Sequence, residues 1–258
     1  GALMDPAGFA GIGLAFAAIF MSMILEGGNP ASIILIPPIV LVIFGTLGAA
    51  MAGGLLKDTI GLGKLLQRTL MTKVTPPDHL VDAVVKLADR ARREGLLALE
   101  DAVKAVEDPF LRRGLELAVD GTDPEELREI MEAQVEAKRK ADQVGAKIFA
   151  DMGGYAPTIG IIGTVLGLVH VLENLSDPGK LGHLIAGAFV ATLWGVMTAN
   201  VVWLPLSNRA KRLSGLEAAQ MELAIEGVVA IQAGANPRLV AQKLRSLLPP
   251  GSEAKKAA

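Results

Sequence analysis

Apolar residues are concentrated in four long stretches, and between them apolar and polar positions alternate at helical spacing. The stretches are residues 6–25 (PAGFAGIGLAFAAIFMSMIL), 32–55 (SIILIPPIVLVIFGTLGAAMAGGL), 154–173 and 183–206 (HLIAGAFVATLWGVMTANVVWLPL). A bilayer core of roughly 30 Å takes about 20 helical residues at 1.5 Å each. Lys, Arg and Asp are absent from all four, and the one Glu, Glu173, ends the third. The pattern predicts four transmembrane helices. The first lacks a basic leader and an A-x-A-like cleavage site, so it reads as a retained helix rather than a signal peptide.

The regions between also read as helices. DHLVDAVVKLADRARRE puts Leu80, Val81, Val84, Leu87 and Ala88 on one face, and Gly95 ends it. LLALEDAVKAVE resumes the pattern up to Asp108-Pro109, and FLRRGLELAV runs to Gly121. A long helix is predicted from Asp123, with Asp123 as N-cap, Pro124 in the first turn and Glu126 three residues on. It is expected to run into the third span. The tail predicts two helices broken at 234–237, and the last eight residues, GSEAKKAA, read as disordered. No strand-like alternation or internal repeat stands out. The sequence thus predicts an all-α polytopic membrane protein with a large helical cytoplasmic region. Residues 4–55 hold spans 1 and 2, 56–150 a cytoplasmic helical domain, 151–206 spans 3 and 4, and 207–258 a cytoplasmic helical tail. Residues 1–3, ahead of Met4, read as a cloning remnant.

Charge fixes an orientation. Of 25 Lys and Arg, all but Lys180 lie between spans 2 and 3 or after span 4. The positive-inside rule places those regions, and both termini, in the cytoplasm. Composition agrees with a membrane protein: 51% of residues are hydrophobic, and the mean hydropathy is +0.44. A net charge of −2 gives no reason to expect a nucleic-acid partner. The absence of Cys excludes a disulfide scaffold, a Cys-based metal site and a thiol nucleophile.

Catalytic patterns are missing. There is neither a G-x-x-x-x-G-K-[ST] loop nor a strand-linked G-x-G-x-x-G. His79, His170 and His183 lack metal-ligand spacing. The expectation is no enzyme, no cofactor and no metal. No span carries an acid near its centre, where an ion-coupled protein usually holds one. If this chain moves ions, another chain must bring the carboxylate.

The third span opens GGYAPTIGIIGTVLG, with five Gly, one Pro and two Thr in fifteen residues. Small residues let membrane helices approach closely. Gly160, Gly163 and Gly167 form one such face, with Thr164 among them. In span 4, Gly187, Ala191, Gly195 and Ala199 form a four-residue stripe beside Thr192. The plain reading is helix packing. The alternative is a passage lined by the hydroxyls of Thr164 and Thr192. Pro157 and Pro205 lie in the cytoplasmic half of the pair, where each frees a backbone carbonyl and permits bending.

The stretches APTIGIIGTVLGLVHVL, GAFVATLWGVMTANVVWLPL and ARREGLLALED together resemble the MotA/PomA family of flagellar motor stator proteins, over residues 4–248. The G-T-V-x-G run alone is also similar to the three-span ExbB and TolQ energisers. The four spans and the LLALE segment favour the flagellar branch.

The resemblance implies a subunit that surrounds a single-span MotB/PomB-type partner bearing the ion-carrying Asp. The family assembly is five copies around two partner helices, embedded in the lipid of the bacterial inner membrane. The family's conformational prolines match Pro157 and Pro205, and its ion-path positions match Thr164 and Thr192. Its rotor-contacting Arg and Glu match Arg92 and Glu100, with Arg90 and Arg93 as neighbours able to share the role. The rotor protein of the flagellar switch complex is then a further partner. Thr164 offers an oxygen where some proton-type members have Ala, which favours Na⁺ over H⁺. An ExbB/TolQ-like energiser or a solute transporter are the alternatives. A transporter would need an inverted repeat and polar groups at mid-membrane, and neither is visible.

Overall fold

The first apolar stretch folds as helix α1 (Ala7–Leu25), none of whose residues is buried. A computed structural model describes residues 3–74 and 76–248. The segment 251–258, read from the sequence as disordered, lies outside the described residues, as do Gly1 and Ala2. Two-residue strands at Leu3–Met4 and Lys73–Val74 are the only extended elements among the described residues. All other regular structure is helical.

The second stretch is shorter than the sequence predicts. Its helix, α2 (Ile36–Ala52), has 17 residues rather than the 24 of residues 32–55. Pro37 and Pro38 have no N–H, so they fit only the first turn of a helix. Upstream, Pro30–Ile33 form a 3₁₀ turn whose N-cap Asn29 accepts the Ala31 N–H. Gly53 and Gly54 end α2 at its other terminus. Among the described residues, three helical runs are long and apolar enough to cross a bilayer: Ala7–Leu25, Pro124–Glu173 and Pro178–Gln232. At 1.5 Å per residue, α2 reaches about 25 Å, short of the full hydrocarbon core.

Helices α3 (Leu56–Ile60) and α4 (Leu62–Met71) follow. After them come α5 (Pro77–Glu94), α6 (Glu100–Lys104) and α7 (Pro109–Val119). The predicted helix over LLALEDAVKAVE does not form as one piece. It splits into a 3₁₀ turn, Leu96–Leu99, and the five-residue α6. Only Leu99 and Val103 are buried there, and one turn suffices to point both inward.

Helix α8 (Pro124–Glu173) runs unbroken for 50 residues through Pro157. Its start is the predicted one: the Asp123 carboxylate accepts the Glu125 N–H at 2.9 Å. Helix α9 (Pro178–Thr198) passes into a π-helical turn, Ala199–Trp203, and then α10 (Leu204–Gln232). The sequence predicts a bend at Pro205. The wider turn just before it gives the ring room against the carbonyl one turn back. Helix α11 (Pro237–Ser246) follows the predicted break and is the last helix among the described residues.

These elements divide into two compact units. The membrane unit comprises Met4–Thr72 and Asp142–Arg212. Residues 56–72, 142–150 and 207–212, polar by sequence, cluster with it. Arg68 pairs with Asp142 at 2.6 Å, and Ser207 donates to the Ala146 carbonyl at 2.8 Å. The polar unit comprises Lys73–Ala141 and the chain from Leu213. Its core is the apolar face of α5 (Val81, Val84, Leu87, Ala88, Ala91) closed by α7, the first part of α8, α10 and α11. Leu80, predicted with that face, is half-buried and packs against its edge.

Ion pairs run alongside this core. Arg128 pairs with Glu226 at 2.6 Å, Arg139 with Glu222 at 2.5 Å, and Lys138 with Glu217. Lys243 reaches the other Glu226 oxygen at 2.7 Å. The Arg128 hydrogen bond holds the Glu226 carboxyl below its ordinary value, Lys243 adds to this, and burial opposes it. A lowered folded-state value stabilises the fold above the unfolded-state value, and this is lost as pH falls through the folded one. The wild type should therefore unfold at higher temperature than Glu226→Gln at neutral pH. That advantage should shrink as pH drops below about 4.3. Thermal melts of the two proteins across that range test it.

Candidate functional site

The membrane unit brings the small-residue faces of α8 and α9 together. A Cβ on Gly160 would sit 2.7 Å from the Ala191 carbonyl oxygen and 3.2 Å from Gly195 Cα. One on Gly163 would meet Ala191 Cβ at 2.6 Å, and one on Gly167 would meet Ala188 Cβ at 2.6 Å. From the other side, a Cβ on Gly195 would lie 2.5 Å from the Ala156 carbonyl oxygen. The backbones touch at these positions, so no side chain fits between them. Gly187 is not in this seam. A Cβ there reaches only Leu35, at 3.7 Å, and the neighbouring Ala188 takes its place.

Thr164 and Thr192 face each other across the seam, each half-buried, with their hydroxyl oxygens 2.6 Å apart. Thr164 Oγ1 also lies 2.8 Å from the Ala188 carbonyl and 3.3 Å from that of Gly160. Thr192 Oγ1 is 3.4 Å from the Gly160 carbonyl. Each hydroxyl has one proton. The two shortest contacts are satisfied together when Thr164 donates to Ala188 and Thr192 donates to Thr164. Thr192 Oγ1 then keeps its lone pairs available to an ion or a proton donor.

Pro157 precedes Thr164 by seven residues and Pro205 follows Thr192 by thirteen, both toward the polar ends of their helices. Pro157 lacks the N–H that would bond the Gly153 carbonyl, and the residue before it, Ala156, supplies the carbonyl against which Gly195 lies. Pro205 is exposed and follows the π turn. Two groups here were not read from the sequence. The Ala188 carbonyl accepts from Thr164, and Trp194 Nε1 donates to the Ile33 carbonyl at 2.6 Å, fastening the 3₁₀ turn to α9. Ala188 precedes Gly195 by seven residues, two full turns, and that spacing was the available signal.

In the polar unit the four charged candidates separate into two kinds. Arg90 pairs with Glu94 at 3.3 Å, and Arg93 pairs with Asp89, both along α5. Arg92 and Glu100 are exposed and make no hydrogen bond or ion pair among the described residues. Next to Glu100, Asp101 bonds Lys104 at 3.0 Å, which lowers the carboxyl and raises the ammonium. Glu100 adds a smaller upward push on Lys104.

Gly95 lies between the two unpaired charges, at φ +87° and ψ 164°. Only glycine adopts that conformation without strain. Space around it is open, so the strain is in the backbone alone. Gly95→Val should cost about 1–3 kcal/mol and shift Glu100 relative to Arg92. A thermal melt measures the first effect, and a solution structure of the variant the second.

Known proteins resemble the chain almost from end to end. The model of the MotA/TolQ/ExbB proton channel family matches residues 102–223. Motility protein A of Bacillus subtilis is 40% identical over 253 residues, 95% of this chain and 92% of that one. Chemotaxis protein PomA of Vibrio alginolyticus is 31% identical over 97% of this chain and 98% of its own. Among solved structures, C. jejuni MotAB matches with a TM-score of 0.91 at 30% identity, over 96% of this chain and 97% of that one. The flagellar MotAB stator complex from Bacillus subtilis matches at 0.89 and 38% identity, over 97% and 99%.

Proposed function

Since the chain belongs to the MotA/TolQ/ExbB proton channel family, in its MotA/PomA motility branch, we propose that its Thr164–Thr192 pair lines the ion path of a flagellar stator. The protein is a multi-pass inner-membrane stator subunit that works in an oligomer with a MotB-type partner. The observation carrying the proposal is that hydroxyl pair, set in a glycine seam of a membrane unit whose spans hold no acid near their centres.

Four spans with both termini in the cytoplasm are part of this reading, with α2 as the short one. Five copies would surround a dimer of the partner. The partner's Asp would meet the incoming ion beside Thr192. Neutralising that carboxylate removes most of the cost of placing it against apolar walls. The partner helix is then free to step, and each charge crossing releases roughly 2.3 kcal/mol per 100 mV. Pro157 and Pro205 would let α8 and the α9–α10 run bend as it does so. Arg92 and Glu100, unpaired and exposed, would carry the work to the rotor protein of the switch complex. Arg90 and Arg93, tied to carboxylates of their own helix, would contribute less. No residue is assigned a catalytic role, and no cofactor is required beyond the transported ion.

Na⁺ is the favoured ion, because Thr164 supplies an oxygen where some proton-type members have Ala and Thr192 Oγ1 keeps lone pairs free, while H⁺ needs only the carboxylate. The test is Thr192→Ala in a strain lacking the chromosomal gene. Flagella should be present and paralysed, with the variant still co-purifying with its partner. Wild-type swimming would remove Thr192 from the path. Replacing external Na⁺ with K⁺ should stop wild-type rotation, and undiminished speed would assign H⁺.

A further inference from the structure

We propose that the membrane unit holds one phosphoglyceride, with an acyl chain seated in a groove between α2, α8 and α9. The groove encloses about 480 Å³. Pro37, Leu41, Leu166, Leu184 and Gly187 are among its walls. Along its length it is apolar, and α8 and α9 on two of its sides belong to runs long and apolar enough to span a bilayer, which brings it within reach of lipid. It extends from Gly163 to His170 along α8, seven residues or about 10 Å. That suits a segment of extended hydrocarbon chain.

Polarity along the groove matches such a lipid end to end. Its two imidazoles, His170 and His183, both stand at one mouth. The His170 ring is held by Glu173, 3.2 Å from its Nδ1. His183 is exposed and makes no hydrogen bond among the described residues. The His183 ring is therefore uncommitted at the end of the groove where a phosphoglyceride would present its ester and phosphate oxygens. An inserted apolar helix would leave this polar mouth unused. Beside Gly187, outside the α8–α9 seam, the groove is open: a Cβ there touches only Leu35, at 3.7 Å, so a large side chain at 187 would project into it.

The stator complex, purified with its partner and placed in nanodiscs, is photolysed with a phosphatidylglycerol carrying a diazirine near the end of one acyl chain. Cross-links should concentrate on peptides holding Leu41, Gly163 and Ala191, well above those on α1, none of whose residues is buried. Even labelling of all lipid-facing helices would overturn the site. Gly187→Leu fills the groove and should lower lipid retained through detergent extraction about tenfold, the equivalent of some two buried methylenes. Unchanged retention, or a density map showing a helix of a second copy or of the partner in the groove, would equally overturn it. Should Gly187→Leu fail to assemble, the cross-linking of the wild type decides alone. His183→Leu should leave chain cross-linking in place while removing any preference for anionic over zwitterionic headgroups. A preference that persists would overturn the headgroup assignment.

Discussion

Gly195→Val will abolish rotation and leave little assembled protein in the membrane. The first carbon of the new side chain would lie 2.5 Å from the Ala156 carbonyl oxygen and 3.1 Å from Gly160 Cα. Both are backbone atoms, so no rotamer change makes room. Overpacking of this kind costs about 1–3 kcal/mol where side chains can yield, and here whole helices must part. Parting them breaks the 2.8 Å bond from Thr164 to Ala188 and the 2.6 Å contact between the hydroxyls. Swimming assays and immunoblots of membrane fractions measure both effects. Gly182→Val, placed in the same helix where nothing lies within 4 Å, should retain assembly. If Gly195→Val accumulates and rotates normally, α8 and α9 do not meet as described.

Leu115→Ala should make motility temperature-sensitive by a different route. Leu115 is completely buried in the polar unit, in a core that also includes Val84, Leu99, Leu127 and Val228. Removing it costs about 2–5 kcal/mol, depending on how far the site collapses. For a chain of this size that lowers the melting temperature by roughly 5–15 °C. A melt of the purified protein reads the shift, and swimming at low and high temperature reads its consequence. A change of less than a degree would mean that this core is not closed around Leu115.

Hydropathy alone made much of this fold legible, because a membrane helix advertises its length and its lack of charge. Asp123-Pro124 marked the start of α8 for an equally local reason: a cap acts within one turn. What the sequence obscured depends on partners and on helical phase. The stripe Gly187, Ala191, Gly195 advances four residues at a time, so it drifts by about 40° per step around a helix of 3.6 residues per turn. Gly187 therefore leaves the face on which Gly195 lies, while Ala188, seven residues before Gly195, returns to within about 20° of it. The shortening of α2 was written in Pro37 and Pro38, but uniform hydropathy hid it. Arg128 and Glu226 stand 98 residues apart, and no local pattern joins them. Arg92 and Glu100 came from the family resemblance, since a charged helix face looks the same with or without a partner, and the structure separates them from the self-paired Arg90 and Arg93.

The closed bonding of the two threonines has a consequence for how the motor responds to acidity. Both hydroxyl protons are used within the seam, and neither hydroxyl titrates anywhere near physiological pH. On the ion-path reading proposed above, this chain would receive an ion there without releasing a proton in exchange, and its lining would keep one charge state through the working range of a cell. A midpoint in the dependence of rotation on pH would then report the carboxylate brought by the other subunit. The wall around that carboxylate would serve as a fixed reference against which its protonation is read.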